Sequence, residues 1–582
     1  MSCLGGFACL LLVGAAWPAW GAPKGLGDPA VVLDNSETAQ QALQDLLLAR
    51  AAANVQSPLQ IQILAFYNAR DFAPVWTGSD AAENMAQAVL AQLQNAYEQG
   101  LNPNDYVSQP LLKQPPDGGP AAAAYDLALT DALFRYASDV ALGRVEAHAA
   151  YKDVRLPGHN LDIASLLANA LARADLASLF AALPSPHPEY HELAAALARY
   201  RAIIALGGWP AVPVKDGISL DGNDPVGKLL VRRLAFEDPL LASNRRPSPT
   251  DVEMALVRYQ IRNGLKADGK AERETLESLN VPPAVRMRQI TANMERWRWL
   301  PDGFERDYIR VNVPDQSVDL IENGIVVLHS LVVIGKKKTP TPILRTEVVA
   351  VVANPPWDLP DDIAARQVLP HLRENSKYLA SHKFTLVDGP ASDPEGAGID
   401  WRKVRPDHLP YQIEQAPGPN NALGRYMLDS PNDFDVYMHD TPNKKLFTLS
   451  DREASNGCVR VEEIATLARM VLNQDGQNEE ALDGALASPQ TQNLALSRPL
   501  PVYMLYWTAI AGSDGTVGFR PDLYNRDAAL LAKMGANAVR TAKPAPLAKP
   551  QSVTLPSGIS QPIKSQAPKP KTKAVPIGAQ TL

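Results

Sequence analysis

The spacing of apolar residues changes from a helical period to a strand period near residue 300, and this change divides the chain into two parts. Before it, apolar residues recur every three or four positions, as in "AENMAQAVLAQLQNAYEQG", where the repeat runs through Met85, Val89, Leu93 and Tyr97. After "RWRWLP", the stretch "YIRVNV" alternates apolar with polar residues, which is typical of a half-buried strand. A length of 582 residues is too great for one hydrophobic core. We therefore predict a multidomain α+β protein with an all-α N-terminal scaffold and a β-rich second part.

Two local signals describe the β-rich part, which we place at residues 300–510. Asn323-Gly324 lies between two apolar runs and predicts a β-hairpin. The stretch "RTEVVAVVANPPW" predicts another strand, which ends at its two prolines. Residues 377–415 interrupt the pattern with an irregular segment rich in Pro, Gly and Asp. This segment is long enough to be a functional lid inserted in the domain rather than a plain connector.

A small helical module at residues 241–285 follows the helical scaffold domain, which we place at residues 35–240. Its first helix opens with "SPTD" from Ser248, a capping box with proline at the first helical position. A turn at Asp268 then leads into a second short helix. The stretch "ALVRYQIRNGLKADGKAERETLESLN" resembles the small three-helix peptidoglycan-binding module, although this hydrophobic pattern also fits other helical hairpins.

The first 21 residues have the features of a secretory signal peptide. An uncharged apolar run from Phe7 to Trp20 is too short for a membrane span. Small residues at Ala19 and Gly21 form a cleavage site before Ala22. We therefore expect an exported, periplasmic protein without a stable membrane span; the alternative is a retained N-terminal anchor.

The C-terminal residues 540–582 contain six Lys and many Pro but no acidic residue. Such a segment cannot bury a core, and we expect a disordered, solvated tail. Contact of its lysines with an anionic wall or membrane is the alternative. The net charge of the whole chain is −7, which gives no reason to expect a nucleic acid as partner.

The chain has three cysteines, and the signal peptide would remove Cys3 and Cys9. Cys458 is then a single thiol in an oxidising compartment, without an internal partner for a disulfide. Any cysteine can be a small buried apolar residue. The preceding "SNG", however, is polar and turn-forming, which is a poor setting for a core position. We therefore favour a catalytic nucleophile.

A candidate base lies upstream in "FDVYMHD". As a strand, this segment places Tyr437 and His439 on one face and its apolar residues on the other. In "SNGCVRV", Cys458 and Arg460 likewise share one face. For His439 alone a structural histidine would be the favoured interpretation, but with the sole cysteine in such a setting we favour catalysis. A neighbouring imidazole creates the thiolate that attacks a carbonyl carbon and then returns a proton to the leaving amine.

The residues around the thiol can support this chemistry. Gly457 allows the backbone to turn sharply, and we expect its N–H and that of Cys458 to hold a tetrahedral oxyanion. The guanidinium of Arg460 can pair with a substrate carboxylate. The sequence shows no cluster of His, Cys or Asp at metal-ligand spacing.

These motifs resemble those of the L,D-transpeptidases, the YkuD-type catalytic domain. The sequence is most similar to the large periplasmic YcbB-type enzymes, through "PGPNNALGRYML", "VYMHDTP", "SNGCVRV" and "YWTA". The wider family often has His two residues before the cysteine; here that residue is Asn456. The resemblance implies Cys458 as nucleophile and His439 as base, with the imidazole oriented by the carbonyl of Asp440. It further implies a substrate and oxyanion site that consists of Tyr437, Ser455, Asn456, Gly457 and Arg460.

The resemblance also implies a substrate, the tetrapeptide stem of peptidoglycan, cut at an L-to-D bond beside a diamino acid. The side-chain amine of a second stem, the acceptor, would attack the acyl-enzyme and form a 3-3 cross-link. No metal or organic cofactor is implied, and carbapenems are the implied inhibitor class. Two alternatives stay open: an L,D-carboxypeptidase or cross-link-cleaving peptidase with the same Cys/His pair, and a non-catalytic wall-binding protein.

Overall fold

The computed structural model describes residues 38–53, 57–220, 224–244, 246–387 and 389–535. The predicted signal peptide and C-terminal tail lie outside these residues. Within them, the helices are too short or too polar to cross a membrane.

In the described residues, ten α-helices begin before residue 241, and the first of them surround one apolar core. They are α1 (Ala39–Ala52), α2 (Pro58–Asn68), α3 (Asp80–Gln94), α4 (Gly119–Ala141), α5 (Ala147–Ala150), α6 (Ile163–Ala172), α7 (Leu176–Ala182), α8 (Pro188–Ala205), α9 (Pro225–Leu234) and α10 (Pro239–Ser243). Helix α4 is the central one, with 13 buried residues among 23. The buried carboxylate of Asp126 on α4 accepts hydrogen bonds from the backbone N–H groups of Val75 and Trp76 and from the Tyr67 hydroxyl, which fixes the loop after α2.

The helical part differs from the prediction in one short element. Strand β1 (Val154–Arg155) pairs in parallel with Ile343 and Leu344 of the β-rich part. Two residues are too few to show an alternating pattern in the sequence, so this strand could not be predicted.

The module begins with the predicted capping box and contains α11 (Pro249–Arg262) and α12 (Arg273–Leu279). Ser248 accepts a hydrogen bond from the N–H of Asp251, whose side chain accepts one from the N–H of Ser248. The apolar cluster of this module extends back to Val212 and includes residues of α9 and α10. Its packing therefore begins earlier in the chain than residue 241.

Helix α13 (Pro283–Arg298) has two buried ion pairs, of which one lies within the helix and the other joins it to the last described helix of the chain. Arg298 and Glu295, both 0% exposed, pair at 2.7 Å. Arg296 pairs at 2.7 Å with Asp527 of α19 (Arg526–Lys533). Because removing one partner would leave an uncompensated buried charge, these contacts fix α13 firmly against its surroundings.

The β-rich part contains one large sheet that closes on itself. Its strands are β2 (Tyr308–Asn312), β3 (Ser317–Glu322), β4 (Ile325–Gly335), β5 (Ile343–Ala353), β9 (Tyr426–Asp429), β10 (Met438–His439), β11 (Glu453–Ser455), β12 (Val459–Val461) and β13 (Gln492–Leu505). The strand order is β1-β5-β13-β2-β3-β4-β12-β10-β9, and β9 also pairs with β5, which closes the ring; β11 pairs with the end of β4. Closure leaves the strands of the ring without a free edge.

The predicted hairpin at Asn323-Gly324 joins β3 to β4, and both turn residues have positive φ, 53° and 78°. The apolar faces of the strands pack with α17 (Ile464–Gln474) and α18 (Glu479–Ala487) in a second core. After β13 the described chain ends with a small hairpin, β14 (Ala509–Ala511) and β15 (Val517–Phe519), and with α19.

The segment predicted as an irregular lid is a small folded unit. It contains β6 (Trp357–Leu359), α14 (Asp361–Ile363), α15 (Leu369–Glu374), α16 (Tyr378–Ser381), β7 (Phe384–Val387) and β8 (Gln412–Gln415), with a π-helical turn, Ala364–Val368, before α15. The three strands pair in the order β6-β8-β7, and one apolar cluster includes Leu359, Trp401 and Ile413. The predicted start at Lys377 is therefore too late by about twenty residues, because the elements are too short to produce a periodic pattern.

Candidate active site

Two short parallel strands carry the predicted catalytic residues. Strand β10 pairs with β12 so that Met438 lies opposite Val459, and His439 lies opposite Arg460. The N–H of Val459 donates to the carbonyl of Tyr437 at 3.0 Å. Alternate residues of a strand point to the same face, so Tyr437 and His439 share one face of the pair with Cys458 and Arg460. The valines of β12 and Met438 are buried on the opposite face.

The strand predicted over residues 434–440 is shorter than expected. Only Met438 and His439 are in strand, and Asp435 has a φ of 51°, which no strand residue adopts. This turn brings the carbonyl oxygen of Asp435 to 3.7 Å from the Sγ atom of Cys458, which donates a weak hydrogen bond to it. This contact could not be predicted from the sequence, because it depends on a backbone atom of Asp435.

The turn that precedes Cys458 is held by side-chain hydrogen bonds. Ser455 is buried; its Oγ donates to the carbonyl of Cys458 at 2.6 Å and accepts from the N–H of Gly457 at 3.1 Å. The N–H of Gly457, predicted to hold the oxyanion, is therefore already used within the turn. Of the two N–H groups predicted to hold the oxyanion, that of Cys458 is therefore the remaining candidate. Gly457 has a φ of 126°, which glycine adopts without strain, and Asn456 is exposed beside it.

The thiol of Cys458 is half-buried and protonated in the resting protein. Burial raises its pKa above the ordinary value, and the charge of Asp435 adds to this rise. The guanidinium of Arg460 and neighbouring backbone groups oppose the rise in the pKa of the thiol without cancelling it. Arg460 is itself partly buried, which lowers its own pKa.

The imidazole of His439 is only 3% exposed. Burial and, next, the charge of Arg460 lower the pKa of His439 to about 3, so the ring is neutral near pH 7. Among the described residues, Nδ1 has no hydrogen-bond partner, although the backbones of Asp440 and Leu423 lie close enough to oppose the fall of this pKa. A neutral imidazole has a free electron pair and can accept a proton from a thiol.

The carboxylate of Asp440, next to His439 in the chain, has several hydrogen-bond partners. It accepts from the backbone N–H groups of Arg425 and Thr441 at 2.9 and 2.7 Å, and it pairs with Lys444 at 2.6 Å. Gly424 packs so closely against it that a Cβ atom there would overlap the carboxyl group. The side chain of Asp440 thus fixes the loop beside His439.

Tyr437 is the aromatic neighbour of His439. Its ring lies 5.7 Å from that of His439. Burial raises the pKa of Tyr437, and the charges of Cys458, of Asp358 on β6 and of Asp435 raise this pKa further. Asp358, which the sequence analysis did not single out, therefore lies near the site, and it faces Glu414 across the β6–β8 pairing. Burial and the charge of Asp358 raise the pKa of Glu414.

The arrangement supports covalent catalysis by a thiol. A nucleophile, a neutral base and a cation lie on one face of two paired strands, with a backbone N–H available for an oxyanion. Within residues 38–535 as described, no three His, Cys, Asp or Glu side chains are grouped as metal ligands would be.

The candidate site lies inside a stretch of the chain that matches a known family. Residues 306–489 match the family model of the L,D-transpeptidase catalytic domain, and residues 61–197 match that of a scaffold domain. The chain carries an L,D-transpeptidase catalytic domain. A curated Haemophilus influenzae protein, named provisionally as an L,D-transpeptidase, is 32% identical over 268 residues, which cover 45% of this chain. The chain spans about half of that relative, 54% of its length.

Two solved structures of L,D-transpeptidases are more distant. A mutant of the Enterococcus faecium enzyme is 13% identical, covers 35% of this chain and 52% of its own, and has a TM-score of 0.16. The Stackebrandtia nassauensis enzyme is 13% identical, covers 51% and 96% of the two chains, and has a TM-score of 0.19. TM-scores this low add nothing to the assignment.

The L,D-transpeptidase domain contains both strands of the site and the whole lid. The match ends at residue 489, before β13. Strand β13 nevertheless lies between β5 and β2 in the closed sheet, so the sheet of the L,D-transpeptidase domain is completed by residues beyond the match.

Proposed function

We propose that this protein is a peptidoglycan L,D-transpeptidase that forms 3-3 cross-links through a thioester on Cys458. The observation that carries the proposal is the register of β10 and β12, which places Cys458 on the same face as His439 inside the matched domain. Export to the periplasm, and wall binding by the module at residues 241–285, belong to the same proposal.

In the first half-reaction, His439 accepts the thiol proton while Sγ attacks the carbonyl carbon of the L-to-D peptide bond in the donor tetrapeptide. The N–H of Cys458 holds the oxyanion that forms. The imidazolium then gives its proton to the nitrogen of the departing D-amino acid, and the C–N bond breaks. The imidazolium, formed when His439 takes the thiol proton, is the proton donor for this step.

In the second half-reaction, the neutral side-chain amine of an acceptor stem attacks the thioester carbonyl. His439 takes the proton of the attacking amine and returns it to the sulfur as the C–S bond breaks. Arg460 carries a positive charge beside the thiol, which stabilises the thiolate and can pair with a stem carboxylate.

Water competes with the acceptor amine for the thioester. We propose that the lid excludes water from the site, since it is inserted between β5 and β9, and β9 pairs with the strand β10 that carries His439. If the lid leaves the thioester open to water, the same residues give an L,D-carboxypeptidase or a cross-link-cleaving peptidase.

Purified protein incubated with stem tetrapeptides tests the proposal. We expect dimers with 3-3 links from the wild type and none from Cys458→Ala. Free tripeptide without dimers would identify the hydrolase. Binding to wall material without any turnover would identify a non-catalytic wall-binding protein.

A further inference from the structure

The turn at residues 455–458, called the catalytic turn below, is held by Ser455 and also by a residue from another loop. Thr341 is completely buried in the loop between β4 and β5. Its Oγ1 donates to the carbonyl of Gly457 at 2.7 Å and accepts from the N–H of Gly335, the last residue of β4, at 2.9 Å. One hydroxyl therefore ties the residue before the nucleophile to the end of a central strand.

A tyrosine from the C-terminal segment holds this loop in place. The hydroxyl of Tyr524 donates to the carbonyl of Gly335 at 2.6 Å and accepts from the N–H of Thr341 at 3.3 Å. The loop is folded so tightly that a Cβ atom on Gly335 would clash with the carbonyl of Thr339. Two hydrogen bonds from one hydroxyl thus fix both sides of the loop at Thr341.

Tyr524 is itself positioned by the "YWTA" segment. Its N–H donates to the Tyr506 hydroxyl at 2.8 Å, which donates to Asp522 at 2.8 Å. The two tyrosine rings lie 5.6 Å apart. A continuous set of contacts therefore runs from the end of β13 to the turn that carries the nucleophile.

We propose that Thr341 and Tyr524 are positioning residues for the catalytic turn. Thr341 holds the carbonyl of Gly457, and the peptide plane of this carbonyl contains the N–H of Cys458. The direction of the oxyanion donor is therefore set by the hydrogen bond from Thr341. Tyr524 lies beyond the matched residues 306–489, so the C-terminal segment contributes to the site as well as to the sheet.

Loss of these bonds should lower the rate of the chemical step. Thr341→Val keeps the size of the side chain but leaves the carbonyl of Gly457 and the N–H of Gly335 without their partner. A small misplacement of catalytic groups costs up to about a hundredfold in rate. For Thr341→Val and Tyr524→Phe we therefore expect kcat to fall about tenfold to a hundredfold, with KM little changed.

Two variants separate positioning from general stability. Thr341→Ser keeps the hydroxyl and should restore kcat to near the wild-type value. Thr291→Val is the matched control, because Thr291 is a buried threonine of α13 whose hydroxyl donates to the carbonyl of Met287 at 3.1 Å. It should leave kcat unchanged.

Because the kinetic readout rests on the proposed function, a second measurement is independent of it. Hydrogen exchange of the peptide that spans residues 455–459 should be several-fold faster in Thr341→Val and Tyr524→Phe than in the wild type or Thr291→Val. If the wild type does not catalyse acyl transfer, the proposed function fails. Hydrogen exchange alone then tests the positioning role. Unchanged exchange in this peptide, or an equal loss of kcat in Thr291→Val, would overturn the positioning role.

Discussion

His439 lies directly opposite Arg460 in the parallel pairing of β10 with β12, so the proposed base and a permanent cation are neighbours on one face. The cation has opposite effects on the two reacting groups. It helps to lower the pKa of His439, after burial, and it opposes the rise that burial causes in the pKa of Cys458. Both pKa shifts favour the neutral form of their group in the resting site.

Replacing the cation should make the thiol harder to ionise. In Arg460→Gln we expect the pKa of Cys458 to rise further and that of His439 to move back toward its ordinary value. Alkylation of Cys458 by iodoacetamide, measured against pH, should reach half its maximal rate at a higher pH than in the wild type. Lys152→Gln removes an exposed charge elsewhere and should leave the profile unchanged. A profile that moves to lower pH in Arg460→Gln would contradict this account of the electrostatics.

The lowered pKa of His439 should make the fold sensitive to acid. In the unfolded chain a histidine takes up a proton below about pH 6.5, whereas the pKa of about 3 keeps folded His439 neutral. The unfolded state then binds more protons, so stability falls as the pH falls from about 6.5 to 3. Between pH 7 and pH 5 this amounts to at most about 2 kcal/mol.

Denaturant unfolding at pH 7 and pH 5 measures this effect. His439→Gln removes the titrating group, and its loss of stability between the two pH values should be smaller than that of the wild type by about 1–2 kcal/mol. Equal losses in the two proteins would show that His439 is accessible to protons in the folded state.

Much of this site follows from residue types and spacing, and the rest from backbone contacts that spacing does not encode. The sequence alone predicted that Cys458 and Arg460 share one face, because side chains alternate between the two faces along the strand "CVRV". It assigned the N–H of Gly457 to the oxyanion, because nothing in "SNGC" shows that Ser455 takes that donor. Thr341 and Asp435 were missed for a similar reason. The hydroxyl of Thr341 donates to the backbone carbonyl of Gly457, and the backbone carbonyl of Asp435 accepts from Cys458. Each contact joins residues that are far apart in the sequence.

The same distinction between local sequence signals and distant contacts applies to the fold. The hairpin at Asn323-Gly324 was predicted because its turn residues and flanking runs are local signals. Closure of the sheet through β5 and β9 was not predicted, since pairing between residues 350 and 429 leaves no local pattern in the sequence. The inserted segment was predicted from composition, but its start at Trp357 depends on tertiary packing around Trp401.

The contact between Gly424 and Asp440 should be essential for the loop beside His439. Gly424 has a φ of 66°, and a Cβ atom there would overlap the Asp440 carboxyl. We expect Gly424→Ala to destabilise the protein by about 2–4 kcal/mol and to reduce acyl transfer strongly. Gly476→Ala is the matched control, because Gly476 has a φ of 82° with open space around it.

Thermal unfolding and turnover should separate these two variants. The control carries only the backbone strain of an alanine at positive φ, about 1–2 kcal/mol, and should keep its activity. If Gly476→Ala loses as much activity as Gly424→Ala, the effect is backbone strain and not the clash with Asp440.

Removing the lid should favour water over the acceptor amine. Trp357 of β6 and Gln415 of β8 pair directly, so the segment between them can be replaced by a two-residue Asn-Gly turn. We expect this variant to form the acyl-enzyme but to release more free tripeptide relative to cross-linked dimer than the wild type, because lids exclude water from reactive intermediates. A product ratio equal to that of the wild type would show that the lid does not control the acceptor.

Intact-mass measurement of the protein from Ala22 onward, after incubation with a carbapenem, tests the central claim most directly. This protein contains one cysteine. We expect a single adduct per chain, because a thiolate generated by His439 opens the strained lactam and the resulting thioester is slow to hydrolyse. The adduct should disappear in Cys458→Ala, whose unfolding free energy should change by only about 1 kcal/mol. An adduct that persists in Cys458→Ala, or a wild-type protein that never forms one, would contradict the assignment of Cys458 as the nucleophile.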